Sequence, residues 1–519
     1  MKKSIVQSRQ AIRGSSCALF TIVLSAMLAG CNVGPKYVPP TMTAPPVFKE
    51  SPTQFKETEG WTVAQPQDST LRGKWWEIYN DPELNALEKQ LNVDNQNIRQ
   101  AFENFMEARA LVREARSQYF PTVSIGPSYT RSQTSSTIQS AGGGGSSSAA
   151  GTSTLGKQTQ LFSLPADVSW EPDLWDKVRN TVRANQYQAQ LSAADLENER
   201  LTEQASLAEF FFEIRGQDAL QKILDDAVET DKKDVASEQA RYDTGVDDEI
   251  LLVQAQTNLA TAQSAAVNLG IARAQFEHAI AMLIGKPASS FSIPVKPSTT
   301  APPPIPVGLP SQLLERRPDV AGAERSMAAA NAQIGVARAA YFPSLTLSAN
   351  GGVESSAIKN LLDSASRFWS VGPTLSETVY DGGLRRATMN QYIATYNADL
   401  AVYRQSVLTA FEQVEDSLAA VRILSQQIQR QQEAVDSSRH YLELEQTRYD
   451  TGIDPYTDLA AAQIILLSNT QTLTTLQIQQ MTASVELIQA LGGGWDRTQL
   501  PTPVQVTQKP AQAEVTIQH

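Results

Sequence analysis

The chain has 519 residues, of which 41% are hydrophobic and 19% charged, and its formal net charge is −12 at pH 7. Nucleic-acid binding calls for a basic patch, so this acidic balance argues against a nucleic-acid partner. The three histidines (His278, His440 and His519) are isolated in sequence and show no metal-ligand spacing. The chain has no nucleophile elbow, phosphate loop or zinc motif, so we expect neither an enzyme nor a bound metal.

The first 30 residues have the pattern of a signal peptide, with a basic start followed by an apolar stretch. The stretch ends in Leu28-Ala29-Gly30-Cys31, which resembles the lipobox of bacterial lipoproteins. This resemblance implies that residues 1–30 are removed and that Cys31 carries covalent lipid, the only cofactor-like group expected. An ordinary secretory signal with a chance cysteine is the alternative. Asn32 stands where lipoproteins retained at the inner membrane have Asp, which favours the outer membrane. Beyond Cys31 no run of about 18 apolar residues occurs, so no transmembrane helix is expected.

The chain repeats its landmarks in the same order. Arg241-Tyr242-Asp243-Thr244-Gly245 returns 207 positions later as Arg448-Tyr449-Asp450-Thr451-Gly452, and Tyr119-Phe120-Pro121 returns as Tyr341-Phe342-Pro343. A duplication of this length indicates architecture more than a catalytic pocket, because one active site rarely needs its scaffold twice. The predicted segments are a signal peptide (1–30), a lipidated tether and belt segment (31–82), a first repeat (83–285), a Pro-rich belt linker (286–310), a second repeat (311–491) and a C-terminal tail (492–519).

Four short segments alternate apolar with small polar residues, two in each repeat. They lie at about 122–131, 160–170, 344–351 and 368–380. Their lengths are close to the roughly 9 to 11 residues with which a tilted strand crosses a bilayer. The period of two gives each strand one apolar and one polar face, as lipid outside and water inside require. A half-buried sheet in a soluble domain is the alternative.

Two long stretches without internal proline, from Asp176 to Arg241 and from about Leu384 to Arg448, predict helices of about 100 Å each at 1.5 Å per residue. Gly245 and Gly452 are suited to end them as left-handed caps. Asp247 and Asp454-Pro455 should then begin shorter return helices. Each repeat therefore predicts a helical hairpin with a tight tip. A further helix is expected from Pro82, with Asp81 as its N-cap, to about Gln118, and the chain after Pro501 is expected to lack regular structure.

Four membrane strands cannot close a barrel alone, since single-chain outer-membrane barrels start at about eight. An open edge in lipid leaves backbone groups unpaired, so several chains must share one barrel. Two copies give a filled interior, whereas three give twelve strands and room for a pore. The predicted fold is therefore a membrane β-barrel combined with a long α-helical barrel. Each protomer of an internally duplicated chain contributes four strands to a 12-stranded barrel in a trimer.

A set of motifs then places the chain in a family. The motifs are the lipobox with Asn32-Val33-Gly34-Pro35, Trp75-Trp76, Arg317-Pro318-Asp319-Val320, Tyr341-Phe342-Pro343, Tyr380-Asp381-Gly382-Gly383, the tip pentapeptides and Ala490-Leu491-Gly492-Gly493-Gly494-Trp495. Together they resemble the TolC-type outer membrane factors, specifically the lipoprotein (NodT-like) branch that serves RND-type efflux pumps. The resemblance implies a homotrimer, a twelve-helix tunnel in the periplasm, a periplasmic membrane-fusion adaptor protein at the tips and an inner-membrane RND transporter. The first repeat departs from the pattern, with Trp175-Asp176-Lys177 at its strand-to-helix corner.

Two sites follow from these patterns. The hairpin tips are expected to dock the adaptor; their residues are Arg241, Tyr242, Asp243, Thr244, Gly245, Arg448, Tyr449, Asp450, Thr451 and Gly452. Simple helix capping is the alternative for the tips. In a trimer, an inward acid near the tip becomes a ring of three like charges, which attracts cations and forms a gate. The gate candidates are the acids Glu443, Asp450, Asp454 and Asp458, with Arg439 or Arg448 as their partners.

The predicted function is a passive channel-tunnel that forms the exit duct of a tripartite efflux pump and is energised by a partner transporter. It is anchored in outer-membrane lipid of a Gram-negative bacterium and extends into the periplasm. One alternative is the outer-membrane channel of an ABC-driven secretion system, against which the lipobox argues mildly. The other is a lipid-anchored coiled-coil scaffold without a pore, which leaves the four amphipathic strands unexplained. The sequence does not identify the cargo, because a duct needs no specific binding pocket.

Overall fold

The computed structural model describes residues 33–40, 44–45, 47–50, 73–133, 135, 158–305 and 315–508. The chain divides into two compact units. The first unit comprises residues 1–38, 109–186 and 328–397, and the second comprises residues 39–108, 187–327 and 398–519. The predicted signal peptide, the predicted lipid site Cys31 and most of the predicted tether lie outside the described residues.

Helices make up most of the described chain. They are α1 (Pro82–Asp94), α2 (Gln96–Ser117), α3 (Lys177–Asp243), α4 (Glu249–Leu283), α5 (Pro318–Ala339), α6 (Leu384–Asp450), α7 (Tyr456–Ala490) and α8 (Pro503–Thr507). The long helices α3 and α6 have 67 residues each, and the return helices α4 and α7 have 35 each. Within the described ranges, no helix is both long and apolar enough to cross a membrane.

The first unit contains one antiparallel sheet. Its strands are β1 (Thr122–Ile125), β2 (Ser128–Gln133), β3 (Gln158–Trp170), β4 (Ser344–Ser355) and β5 (Arg367–Ser376). Both β1 and β2 pair with β3, which pairs with β4, and β4 pairs with β5. The expectation of one strand at 122–131 was wrong, because Gly126 and Pro127 interrupt it and proline has no amide to donate. The strand expected at 368–380 ends at Ser376, and the chain then turns toward α6.

The sheet has one apolar and one polar face, as its register demonstrates. Leu345 lies opposite Leu375 and Ala349 opposite Val371, and Ala349 also lies opposite Val168 of β3. The neighbouring positions of these strands, on the other face, are occupied mainly by serine, threonine and asparagine. Since side chains alternate along a strand, the apolar residues of three strands form one continuous surface.

Each of the two strand-to-helix corners has a residue with a positive φ directly before the long helix, and these two residues differ. Asp176 before α3 has a positive φ of 58°, and Gly383, 207 positions later, has a φ of 94°. The Asp176 side chain is fully buried and forms an ion pair with Arg179 at 3.0 Å. The ion pair gives Asp176 a local role that glycine cannot supply.

The second unit is built around one large apolar cluster. Trp75, Leu84 and Phe211 are among its most buried members. The predicted helix start, with Asp81 as N-cap and Pro82 in the first position, is confirmed. The expected continuation to about residue 118 is broken at Asn95, whose Oδ1 accepts the amides of Asn97 and Ile98, each at 2.9 Å. This side chain caps α2 and thereby ends α1 one residue earlier.

Two peripheral segments of the second unit are also ordered by side-chain contacts. Phe48 of the predicted tether is buried in the apolar cluster, and Arg422 Nη2 donates to Glu50 Oε2 at 2.6 Å. The chain after Pro501, expected to lack regular structure, instead forms α8. Thr502 and Gln505 form a capping box at its start, which satisfies the first amides of this short helix.

Candidate functional site at the hairpin tips

Both long helices end in the repeated pentapeptide with the same backbone geometry. At the end of α3, the amide of Gly245 donates to the carbonyl of Tyr242 and the next amide to the carbonyl of Arg241, both at 2.9 Å. At the end of α6, Gly452 and the residue after it form the equivalent bonds. The φ angle is 77° at Gly245 and 74° at Gly452. This Schellman motif needs a positive φ, which glycine adopts without steric cost.

An Arg–Asp ion pair closes each turn. Arg241 Nη1 lies 3.1 Å from Asp247 Oδ2, and Arg448 Nη2 donates to Asp454 Oδ1 at 2.8 Å. Hydrogen bonds from Arg448 hold the pKa of Asp454 below its usual range. The first return helix begins at Glu249, as predicted, but the expectation that Asp247 caps it was wrong. Asp248 caps α4 instead, because the carboxylate of Asp247 is engaged by the arginine across the turn.

Tyr449 joins the first hairpin (α3 and α4) to the second hairpin (α6 and α7). Its side chain is buried, and its hydroxyl donates to the carboxylate of Glu238 on α3. The guanidinium of Arg241 lies over the ring, 4.6 Å from the centroid, in a cation–π contact. The pKa of Tyr449 is raised to about 12, mainly by burial and secondly by the hydrogen bond to Glu238. The hydroxyl is therefore protonated at neutral pH.

The equivalent tyrosine of the first tip has a different environment. Tyr242 is 42% exposed, and Val246 and Ile250 beside it are also exposed. The two tips therefore share a pentapeptide and a backbone but not a surface. The tyrosine of the first tip is exposed to solvent, whereas the tyrosine of the second is buried against α3; Val246 and its counterpart Ile453 are both exposed.

Carboxylates with raised pKa values lie behind the tips. Burial and the nearby Asp234 raise the pKa of Asp231 to about 6. Burial also raises the pKa of Asp234, which accepts a hydrogen bond from Gln463 of α7 at 2.9 Å. On α6, burial and a hydrogen bond with Asp454 raise the pKa of Glu445. Oε2 of Glu445 is buried without a hydrogen-bond partner among the described residues.

The structure brings together only part of the predicted gate. Arg448 and Asp454 form an ion pair. Arg439 forms its ion pair, at 3.1 Å, with Asp436, which is not one of the predicted gate acids. The other three acids are exposed; they are Glu443, Asp450 and Asp458. Their arrangement around a pore stays a prediction. In the part of the chain that the structure describes, no group of three or more His, Cys, Asp or Glu side chains could hold a metal ion.

Sequence reasoning missed three groups at the tips: Glu238, Glu445 and Asp231. A signal for the first two was present, since they are 207 positions apart and each stands three residues before the arginine of a pentapeptide. Asp231 gave no such signal. Its raised pKa comes from burial and from Asp234 on the same helix, and burial depends on how the helices pack.

Comparison with known proteins identifies the family. A family model described as outer membrane efflux protein matches residues 87–286 and 309–493. The chain is 32% identical over 486 residues to the solvent efflux pump outer membrane protein SrpC of Pseudomonas putida, covering 91% of this chain and 97% of that protein. It is 26% identical over 497 residues to the cation efflux system protein CusC of Escherichia coli O6:H1, covering 93% and 100%.

Solved structures agree with this assignment. The outer-membrane channel OprN matches with a TM-score of 0.79 and 27% identity, covering 90% of this chain and 100% of that one. The CmeC outer membrane channel of Campylobacter jejuni shares the fold, with a TM-score of 0.79 at 21% identity and coverage of 91% and 97%. The predicted resemblance to TolC-type outer membrane factors is confirmed, as is the predicted outer-membrane location. The chain belongs to the outer membrane efflux protein family.

Proposed function

We propose that three copies of this chain form a channel through the outer membrane that continues as a helical tunnel in the periplasm. The channel is the passive exit duct of a tripartite efflux pump. The observation that carries this proposal is the sheet of the first unit, which has one apolar face and two open edges in a single chain.

The sheet fits a shared barrel better than a soluble domain. Its apolar face includes exposed large side chains such as Trp369, Val371 and Leu375. Lipid is the environment that such a face needs, and the small polar face suits water. The outer edges of β5 and of β1 with β2 would leave backbone groups unpaired in lipid. Three copies supply twelve strands, with β1 and β2 counted as one interrupted strand, and pair every edge.

The helices support an internally duplicated chain and a tunnel of twelve helices. The first hairpin has helices of 67 and 35 residues, and the second hairpin repeats both lengths. Each helix of the second hairpin begins 207 positions after its counterpart. Two similar hairpins per copy give six similar hairpins in a trimer, and their twelve helices can surround a central axis.

The tips are the proposed docking site for a periplasmic adaptor. Their two pentapeptides, Arg241–Gly245 and Arg448–Gly452, end the long helices of the two hairpins, and Arg241 and Tyr449 hold these two ends in contact. Tyr242 and Val246 supply exposed apolar surface there, as a docking partner would require. The contact between Tyr449 and Glu238 fastens the second hairpin to the first, so we assign it to holding the gate closed.

The partner that supplies energy is proposed to be an RND-type transporter. The names of the relatives support efflux: SrpC belongs to a solvent efflux pump and CusC to a cation efflux system. An ABC-driven transporter is the alternative for the same duct. The proposal includes a covalent lipid on Cys31 as an anchor, and it assigns no enzymatic step to the chain.

The mass and conductance of the purified, detergent-solubilised protein test the proposal. A particle of three chains that forms cation-permeable channels in a planar bilayer is the expected result. A stable monomer without conductance would mean that the strands share no barrel, and the scaffold function would then replace the duct. Cross-linking in cells followed by mass spectrometry would distinguish an RND from an ABC transporter.

A further inference from the structure

The strand-to-helix corner of the first repeat, between β3 and α3, encloses a cavity. Its volume is about 200 Å³, and it lies within the first unit. The end of α5 and the neighbouring ends of β4 and β5 complete its walls. Its lining includes two carboxylates, a lysine, two aromatic rings and a leucine; these are Glu171, Asp173, Lys177, Trp175, Phe342 and Leu345. We call it the corner cavity.

One wall of the corner cavity is formed by two aromatic rings with fixed positions. The rings of Trp175 and Phe342 stack with their centroids 4.8 Å apart and an interplanar angle of 23°. Nε1 of Trp175 donates to the carbonyl of Pro343 at 2.7 Å, which satisfies the polar group of the indole. Phe342 remains 40% exposed. Tryptophan is enriched at membrane–water interfaces, where an apolar ring with a satisfied N–H suits the boundary.

The rim of the corner cavity carries opposite charges. Nζ of Lys177 lies 3.2 Å from Oε1 of Glu171, and the two side chains are 52% and 43% exposed. An ion pair this exposed contributes little to stability, so a ligand that offers a partner to each charge can separate them at small cost. Asp173 has a different role, because its carboxylate accepts the amides of Val178 at 3.0 Å and Arg179 at 2.8 Å at the start of α3. The rim therefore offers one cation and one carboxylate to a ligand.

The corner cavity adjoins the apolar face of the sheet. Leu345 lines the cavity, and it lies opposite Leu375 on that face. Leu375 is 69% exposed, so the apolar surface continues past the cavity. Both residues stand beside strand ends that connect to helices, since β4 follows α5 and β5 leads to α6. In the proposed channel this face contacts lipid, and these strand ends lie where the hydrocarbon gives way to headgroups.

The second corner of the chain demonstrates that the fold does not need these residues to pass from strand to helix. Positions 171, 175 and 177 correspond, 207 residues later, to Thr378, Gly382 and Leu384. None of these three residues is charged or aromatic, yet α6 begins at Leu384 as α3 begins at Lys177. The aromatic wall and the charged rim are therefore particular to the first corner, and the repeated architecture does not explain them.

We propose that the corner cavity binds the headgroup of a zwitterionic phospholipid such as phosphatidylethanolamine. Lys177 pairs with the phosphate and Glu171 with the ammonium, and the acyl chains pass Leu345 onto the apolar face. The cavity volume suits a headgroup, since sites for drug-sized molecules have about 300–1,000 Å³. An anionic headgroup or free phosphate fits less well, because Glu171 and Asp173 would repel it and a single lysine would attract it. This inference rests on the proposed channel and names a lipid that the channel holds.

Native mass spectrometry of the detergent-purified protein tests the lipid. The protein is incubated with phosphatidylethanolamine or with phosphatidylglycerol of the same acyl chains, and the bound lipids are counted per chain. The unaltered protein should hold one phosphatidylethanolamine per chain and less phosphatidylglycerol. Lys177→Gln should weaken the binding of phosphatidylethanolamine about 2- to 5-fold, which is the effect of losing one exposed charge pair. The matched control is Lys359→Gln, which removes an exposed lysine between β4 and β5, at the other end of the sheet, and should leave binding unchanged.

Reversing one charge of the rim gives a result that a merely structural role would not produce. Glu171→Lys removes the partner of the ammonium and adds a second cation, so this variant should bind phosphatidylglycerol more tightly than phosphatidylethanolamine. The headgroup site is refuted if the unaltered protein prefers neither lipid or if Glu171→Lys leaves the preference unchanged. Equal effects of Lys177→Gln and Lys359→Gln would refute it as well.

The outcomes separate the lipid site from the channel. The corner cavity lies within one copy, so the lipid preference is measured independently of the mass and conductance of the particle. A conducting particle of three chains without a lipid preference refutes the site and leaves the duct standing. A monomer without conductance refutes the duct itself.

Discussion

Replacing Tyr449 with Phe removes one hydroxyl from the second tip and keeps the buried ring and its cation–π contact. The lost hydrogen bond runs from a buried hydroxyl to the carboxylate of Glu238. Bonds to charged groups contribute about 1.5–3 kcal/mol. Oε2 of Glu238 already lacks a partner among the described residues, so the loss leaves this carboxylate poorly satisfied. Because 1.4 kcal/mol is a factor of ten, the variant should shift the proposed closed-to-open equilibrium about 10- to 150-fold toward open.

Single-channel recording in planar bilayers at neutral pH measures this equilibrium directly. Neutral pH is suitable because the Tyr449 hydroxyl, with a pKa of about 12, is protonated there. The matched control is Tyr380→Phe in the first unit, where the side chain is 88% exposed and the change should have no effect. An open probability of Tyr449→Phe equal to that of the unaltered protein would refute the assignment of this bond to closure. A loss of the trimer in the variant would refute it as well, since the bond lies within one copy.

Three further predictions concern packing, pH and lipid. Gly270→Ala should raise the free energy of unfolding by about 0.5–1 kcal/mol, because no atom lies within 4 Å of the added methyl group. Gly216→Ala should lower it by about 1–3 kcal/mol, because the added methyl group overlaps Ile478. Thermal melting of the two variants measures both changes. The pKa of Asp231 is raised from 3.8 to about 6, so its ionisation destabilises the fold as pH rises through this window. The variant Asp231→Asn should therefore melt at a higher temperature than the unaltered protein at about pH 8 and at the same temperature at about pH 4. A difference in melting temperature that does not change with pH would contradict this. Cys31→Ser should abolish incorporation of labelled palmitate in growing cells, and retained label would place the lipid elsewhere.

The buried tether contact adds a structural detail to the proposed anchor. Glu415 Oε1 accepts the amide of Lys49 at 2.7 Å, and Oε2 accepts the amide of Glu50 at 3.0 Å. Together with Phe48, these bonds fix the described part of the tether to α6 within the second unit. The lipid and this contact therefore hold the N-terminal segment at two points, if Cys31 is acylated as proposed.

Local chemistry made much of the architecture predictable. The duplication of landmarks, the two long helices and the glycine caps at Gly245 and Gly452 depend on residues close together in sequence. Proline and glycine also explain the wrong prediction of a single strand at 122–131, since Gly126 and Pro127 lie within this segment and interrupt the strand. The short α8 was missed because a five-residue helix has no periodicity to detect, although its capping box, Thr502 with Gln505, was a usable signal.

The sequence by itself determined that the chain has two hairpins with equivalent tips, because the pentapeptide dictates its own cap through backbone geometry. It could not determine that Tyr242 is exposed while Tyr449 is buried, since the two residues stand in identical pentapeptides. Only the tertiary structure decided this difference, by placing Glu238 and Arg241 of α3 against the second tip. The physical reason is that burial and pKa depend on which distant helix covers a side chain, and no local pattern records that choice.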